Sequence, residues 1–243
     1  MRSAPPPSAH GGGAPATAPA ATLRLAVEYD GAGFAGWAAQ PGQRTCEGVL
    51  AAALATLLRA PVALRVAGRT DAGVHATGQV VSLAAPPGVE PARLLRGLAG
   101  VLPPDIAVRE VALAPAGFDA RGDALGRAYE YRVLRGPPSP LRRARVLHHP
   151  GPLDVGLLAE AAHRAEGRHD FRAFTPTDTQ HVFFHRTLRC CRWDERGDEL
   201  VLRVEADAFL RHMVRILVGS MLLVGRGRRD ADWFSGLLEG APR

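Results

Sequence analysis

The 243-residue chain carries a net charge of +6 and a pI near 10.2, and all 30 of its Lys/Arg positions are arginine, since lysine, like asparagine, is absent. That composition excludes a catalytic lysine, a Schiff base and a P-loop lysine, and it puts the surplus charge on planar guanidinium groups suited to phosphate and to base stacking. No apolar run reaches the roughly 18 residues of a membrane span, and three cysteines (Cys46 and the adjacent Cys190 and Cys191) make no disulfide framework and point to a reducing compartment.

Residues 1–22 are almost all Ala, Pro, Gly, Ser and Thr without an apolar h-region, and read as a disordered leader rather than a secretory signal. Leu23 to Tyr29 is predicted to be a buried strand, ended by the turn Asp30-Gly31-Ala32-Gly33. Thr45 is an N-cap candidate for a helix over Glu47 to Arg59, where Val49, Leu50, Ala53, Leu54, Leu57 and Leu58 recur at helical spacing. A strand over Val62 to Val66, a loop over Gly68 to Thr77 and a strand over Gln79 to Ala84 follow. Pro91 opens a short helix to Ala99, and Leu102-Pro103-Pro104-Asp105 turns the chain into a strand over Ile106 to Leu113. This β-α-β-β-α-β order is the ferredoxin-like arrangement.

The second half repeats the theme. Strands are predicted over Tyr129 to Arg135, Leu188 to Trp193 and Leu200 to Ala206, and helices over Asp154 to Arg164, Phe209 to Val224 and Asp230 to Leu238. The Pro- and Arg-rich stretch Gly136 to Pro150 reads as a surface connection. The expected fold class is α+β: two ferredoxin-like halves, over 23–115 and 116–243, sharing a central, mainly antiparallel sheet.

Three motifs bear on chemistry. Gly31-Ala32-Gly33-Phe34-Ala35-Gly36 fits the GxGxxG dinucleotide fingerprint, but helical periodicity waits until Glu47, so no helix N-terminus is aimed at a pyrophosphate. No nucleotide cofactor is therefore expected, and a tight turn that lets Trp37 pack is the simpler reading. His181 and His185 lack the glutamate of a zincin motif and sit where Val182, Phe183 and Phe184 suggest a strand, while neighbouring cysteines in a strand face opposite sides, so no metal site is expected. Gly68-Arg69-Thr70-Asp71-Ala72-Gly73-Val74-His75-Ala76 packs polar groups between two apolar strands and sets Asp71 at the rim of a sheet, beside Arg69, Thr70 and His75. A lone Asp in such a turn is ordinarily structural; the longer string around it gives a second reading.

AGRTDAGVHATGQVV (Ala67 to Val81) resembles the catalytic signature of the tRNA pseudouridine synthase A family. EYDGAGFAGW (Glu28 to Trp37), LPPDIAV (Leu102 to Val108), FDAR (Phe118 to Arg121), YEYRV (Tyr129 to Val133), HDFRAF (His169 to Phe174) and AFLRHMVRILVG (Ala208 to Gly219) are similar to the family's other segments, in the same order. The resemblance implies the pseudouridine synthase fold and isomerisation of uridine to pseudouridine in the tRNA anticodon arm, at positions 38, 39 and 40, with no cofactor or metal. It implies Asp71 as nucleophile, attacking either the sugar C1′ or the base C6. Arg215 matches the family's basic partner, which would keep Asp71 ionised and aimed, and Tyr129 matches its active-site tyrosine. Arg69 matches the arginine that fills the gap left by the flipped base, and His75 is the other substrate-binding candidate. The resemblance further implies a cytoplasmic homodimer gripping the tRNA body and anticodon arm, with Arg142, Arg143 and Arg145, or Arg226, Arg228 and Arg229, as phosphate contacts.

Three departures accompany it. Ala38 follows the opening Trp where the family has Gln, and Asp207 stands where Asn is common. The sequence also stops at Arg243, before the Gly-Leu-containing strand that usually closes the family's site and sheet, from which impaired stability or activity is expected. The alternative reading is a catalytically impaired relative that binds tRNA as a folding chaperone.

Overall fold

The computed structural model describes residues 21–179 and 181–242. The leader expected over 1–22 lies outside the described residues except for its last two, and Thr22 already belongs to the first strand. In chain order the first half contains β1 (Thr22–Tyr29), α1 (Cys46–Leu58), β2 (Arg65–Val66), β3 (Ala76–Ala84), α2 (Pro91–Val101) and β4 (Ile106–Ala114). Its four strands pair in the order β2-β3-β1-β4, entirely antiparallel. Alternate side chains of β1 (Leu23, Leu25, Val27 and Tyr29) point inward onto α1 and α2, which contribute Leu50, Leu54, Leu94 and Leu98. Helix α1 begins where Thr45 Oγ1 accepts the Gly48 amide at 3.2 Å, the N-cap expected from sequence.

The second half contains β5 (Arg127–Arg135), β6 (Leu147–His149), α3 (Val155–Ala165), β7 (Gly167–Asp170), β8 (His185–Arg196), β9 (Glu199–Ala206), α4 (Met213–Gly225) and α5 (Ala231–Leu238). Its sheet runs β6-β5-β9-β8-β7, antiparallel except for the short parallel pairing of β6 with β5. Leu158, Leu217, Met221 and Phe234 of the helices close a separate core against Leu188, Leu202 and Val204.

The α+β class with mainly antiparallel strands is borne out, and the hydrogen-bonded ladder falls into two sheets, one in each half. One of the links between them beside the candidate site is the side chain of Arg127. Arg127, at the start of β5, donates through Nε to the Ala67 carbonyl at 3.0 Å and through Nη1 to the Asp207 carbonyl at 2.9 Å.

Some elements differ from the sequence reading. The strand expected over Val62 to Val66 shrinks to β2, because only Arg65 and Val66 find partners on β3. The connection Gly136 to Pro150 contains β6, and β8 reaches from His185 to Arg196, beyond the expected Leu188 to Trp193. The helix expected from Phe209 begins only at Met213: His212 is left-handed, with φ 60° and ψ 6°. Burial of Leu210 and Met213, together with the edge-to-face packing of Phe209 on Tyr129 at 4.9 Å, holds the preceding residues out of helical register.

Candidate active site

Asp71 sits on the loop between β2 and β3, and that loop is braced mostly through its backbone. The Trp37 amide donates to the Thr70 carbonyl at 3.0 Å, the Gly73 amide to the Phe34 carbonyl at 3.3 Å, and the Val74 amide to the carbonyl of Asp71 itself at 3.2 Å. Below the loop, the Tyr29 hydroxyl and Thr70 Oγ1 share a hydrogen bond of 2.8 Å, and Gln79 Nε2 donates to the Gly68 carbonyl at 2.7 Å. Trp37 is 1% exposed and forms the floor with Tyr29, at a centroid distance of 5.9 Å.

The glycine turn that resembled a dinucleotide fingerprint serves this loop. A Cβ on Gly31 would stand 2.0 Å from the Val74 carbonyl oxygen. Gly36, at φ 99°, would put one 2.9 Å from the Thr70 oxygen and 3.2 Å from the Ala72 nitrogen. The turn is thus glycine-rich so that the backbone carrying Asp71 can lie directly against it, a role beyond letting Trp37 pack.

His75 has both ring nitrogens engaged. Its Nε2 is 2.9 Å from the Ala144 carbonyl, and its Nδ1 lies 3.2 Å from the Gly31 amide and 3.0 Å from Asp30 Oδ1. Asp30 also receives Arg145 at 3.1 Å. The Ala32 amide foremost, then Arg145 and His75, hold the Asp30 carboxyl below its ordinary range. His75 therefore works as a bracket between the two halves, and the substrate contact expected of it from sequence finds no free ring nitrogen.

The carboxylate of Asp71 is another matter. It is 37% exposed, and among the described residues neither oxygen accepts a hydrogen bond. Among the described residues, the one cationic or potentially cationic group within ion-pair range is His212, whose Nε2 lies 3.7 Å from Oδ2. Arg215, expected there from sequence, is exposed on the first turn of α4 and makes no ion pair among the described residues. The kink at His212 coincides with the approach of that residue to the loop.

Tyr129 of β5 lies within reach of the charge on Asp71. Burial foremost, then Tyr29 and the charge of Asp71, push its phenol up to about 12, so at neutral pH it is a protonated donor with an aromatic face. Arg69 is exposed and unpaired among the described residues. The structure therefore brings Tyr129 within reach of the charge on Asp71, with Arg69 two residues from the acid, and shows no ion pair of Arg215 with Asp71 among the described residues. Sequence reasoning missed His212 and Arg127. The first is hidden inside an apparently continuous helix, and the second is marked only by its place at the start of a strand.

A family model described as tRNA pseudouridine synthase matches residues 25–121 and 161–243. The chain belongs to the tRNA pseudouridine synthase family. It is similar to a protein of Frankia casuarinae named tRNA pseudouridine synthase A, at 48% identity over 221 residues, covering 89% of this chain and 80% of that one. Proteins of the same name from Streptomyces griseus and Myxococcus xanthus are 46% identical over 220 residues and 41% over 223. These matches cover 87% and 91% of this chain, and 77% and 84% of the relatives. Both matched segments fall where the geometry needs them, the first carrying the loop of Asp71 and the second the kink at His212.

Proposed function

We propose that this chain isomerises uridine to pseudouridine in the anticodon arm of tRNA, at positions 38, 39 and 40, with Asp71 as nucleophile. The observation that carries the reading is the contrast at Asp71, a backbone held from several sides and a carboxylate that no donor among the described residues occupies. Such an acid is fixed in position yet free to attack. Addition at C1′ or at C6 would both use it. In either case the C1′–N1 bond breaks, the uracil turns, C5 joins C1′ and gives up its proton, and N1 ends protonated. The change is an isomerisation and needs no redox partner.

The target base must leave its stack, at a cost of roughly a few kcal/mol. Arg69, exposed and unpaired among the described residues beside Asp71, is suited to fill the gap, and the Tyr129 ring is suited to stack on uracil. With its phenol protonated up to about 12, Tyr129 can donate a hydrogen bond but is no standing base near neutral pH. Arg215 is free to meet the substrate directly.

The two arginine clusters are unlike. Arg142 is bound to Asp198 and Glu199 and Arg145 to Asp30, which leaves Arg143 of that trio. Arg226, Arg228 and Arg229 are exposed and form no ion pair among the described residues, and Arg229 lies over the Trp233 ring at 5.5 Å. They follow α4, about 20 Å from His212 at 1.5 Å per residue, and suit contact with the tRNA body away from the target base. Action as a cytoplasmic homodimer belongs to the same proposal; no helix among the described residues is long and apolar enough to cross a membrane.

The test is Asp71→Ala against wild type on unmodified tRNA. Pseudouridine formation is expected to fall by roughly a thousandfold or more with tRNA binding retained. Equal conversion by both proteins removes Asp71 as nucleophile. Binding without turnover by the wild type favours the RNA-folding role instead.

A further inference from the structure

Two residues other than glycine have positive φ among the described residues, Arg59 at 54° and His212 at 60°. Arg59 caps the C-terminus of α1, where a left-handed residue is a common helix ending. His212 occupies the opposite kind of position, the start of α4, where the capping residue is ordinarily extended. It forms no cap with its side chain, and only its carbonyl enters the helix, accepting the Ile216 amide at 3.1 Å. Strain of this sort persists only when the surroundings impose it.

What the kink achieves is visible across the cleft. Leu210 and Met213 are buried on either side of it, and Phe209 packs on Tyr129. The imidazole is left 41% exposed, with Nε2 3.7 Å from Asp71 Oδ2. That separation is inside ion-pair range and outside hydrogen-bond range; closing it by roughly 0.7 Å makes a bond of ordinary length. Among the described residues Asp71 forms no other ion pair, and the rest of the kinked segment is anchored elsewhere. Arg211 is ion-paired to Asp178, and its carbonyl accepts from Thr175 Oγ1 at 3.0 Å.

We infer that His212 is a positioning residue for the nucleophile: its Nε2–H holds and orients the Asp71 carboxylate towards the flipped base. This rests on the reading of Asp71 as the attacking group. The left-handed backbone is the device that turns the imidazole out of the helix and across to the other half of the molecule, and Arg215 is thereby left free for the substrate.

The experiment compares wild type, His212→Gly and His212→Gln by kcat and KM on unmodified tRNA, with urea unfolding alongside. Glycine adopts the left-handed conformation without strain, so His212→Gly is expected to be at least as stable as wild type. Its kcat is expected to fall by about a hundredfold, as misplacement of a reacting group does, with KM nearly unchanged. Glutamine carries an amide N–H at about the reach of Nε2, and His212→Gln is expected to recover part of the lost kcat. Turnover by His212→Gly within about twofold of wild type, or a loss that appears in KM alone, overturns the inference. So does a kcat loss that glutamine does not relieve in a folded protein. Wild-type protein without turnover would remove the enzyme reading beneath it, an outcome distinct from any of these.

Discussion

The two segments that meet at Asp71 are held in opposite ways. The 67–77 loop is fixed by hydrogen bonds to its backbone from Trp37, Gln79 and Arg127, while the acid it carries points out unbonded. The facing segment, 207–215, is fixed mainly by its side chains: Phe209 packs on Tyr129, and Leu210 and Met213 are buried. Backbone bonding leaves a side chain free to react and makes the loop intolerant of added bulk beneath it. Packing of alternate side chains bends the chain and decides which of the others faces the cleft.

The most damaging way to break this contrast is to thicken the turn under the loop. Gly31→Ala sets a methyl against the Val74 carbonyl, which can only be relieved by moving backbone. It is expected to cost about 2–3 kcal/mol of stability and, by displacing Asp71, about a hundredfold in turnover. The control is Gly33→Ala, whose new methyl meets the end of the Arg44 side chain at 3.3 Å and should cost much less. Urea midpoints and pseudouridine formation measure both.

Removing the bridge between the halves comes next. Arg127→Met leaves the Ala67 and Asp207 carbonyls without their donor and should cost about 2 kcal/mol, with a fall in turnover because both facing segments lose the same anchor. A variant that unfolds earlier but turns over at the wild-type rate would show that packing and the remaining contacts, His75 to Ala144 and Arg145 to Asp30, keep the halves in register.

Alkaline pH sharpens the comparison without mutation. Burial pushes Cys46, Cys191 and, with the neighbouring Tyr29 and Asp71, Tyr129 up to about 12, all above their ordinary values. Between those ordinary values, about 9 to 10, and about 12 the folded chain binds more protons than the unfolded one, so stability falls as pH rises through this window. The urea midpoint should be insensitive to these groups below about pH 8 and then decline steadily. A flat midpoint to pH 12 would mean that the groups are not buried as described.

The smallest effect concerns the arginine clusters. Arg228→Ala should lower the slope of log affinity for tRNA against log salt by about one. Arg142→Ala, whose guanidinium is already bound to Asp198 and Glu199, should leave that slope unchanged. Equal effects would make both clusters part of the tRNA surface.

Much of the architecture was legible because it depends on local periodicity. The apolar run from Leu23 to Tyr29, helical spacing after Thr45 and the order of elements in the first half all survive in the structure. The loop that carries Asp71, the proposed nucleophile, stood out as an uninterrupted string, and Tyr129 was a candidate by its match to a later segment of the same resemblance. The helix start at His212 was not legible, since Phe209 to Val224 is apolar throughout and nothing in its spacing announces a left-handed residue. Arg142 and Arg145 looked like a free basic patch because Asp198 and Asp30, which neutralise them, lie 56 and 115 residues away.

The order of elements in the first half, most of those in the second and the string that carries Asp71 could be read along the sequence, all being properties of residues near one another in the chain. Tertiary structure decided which base faces that acid, which arginines remain free and why the turn beneath the loop must be glycine. Those are questions of approach between segments far apart in sequence, settled by what each side chain meets once both cores have closed.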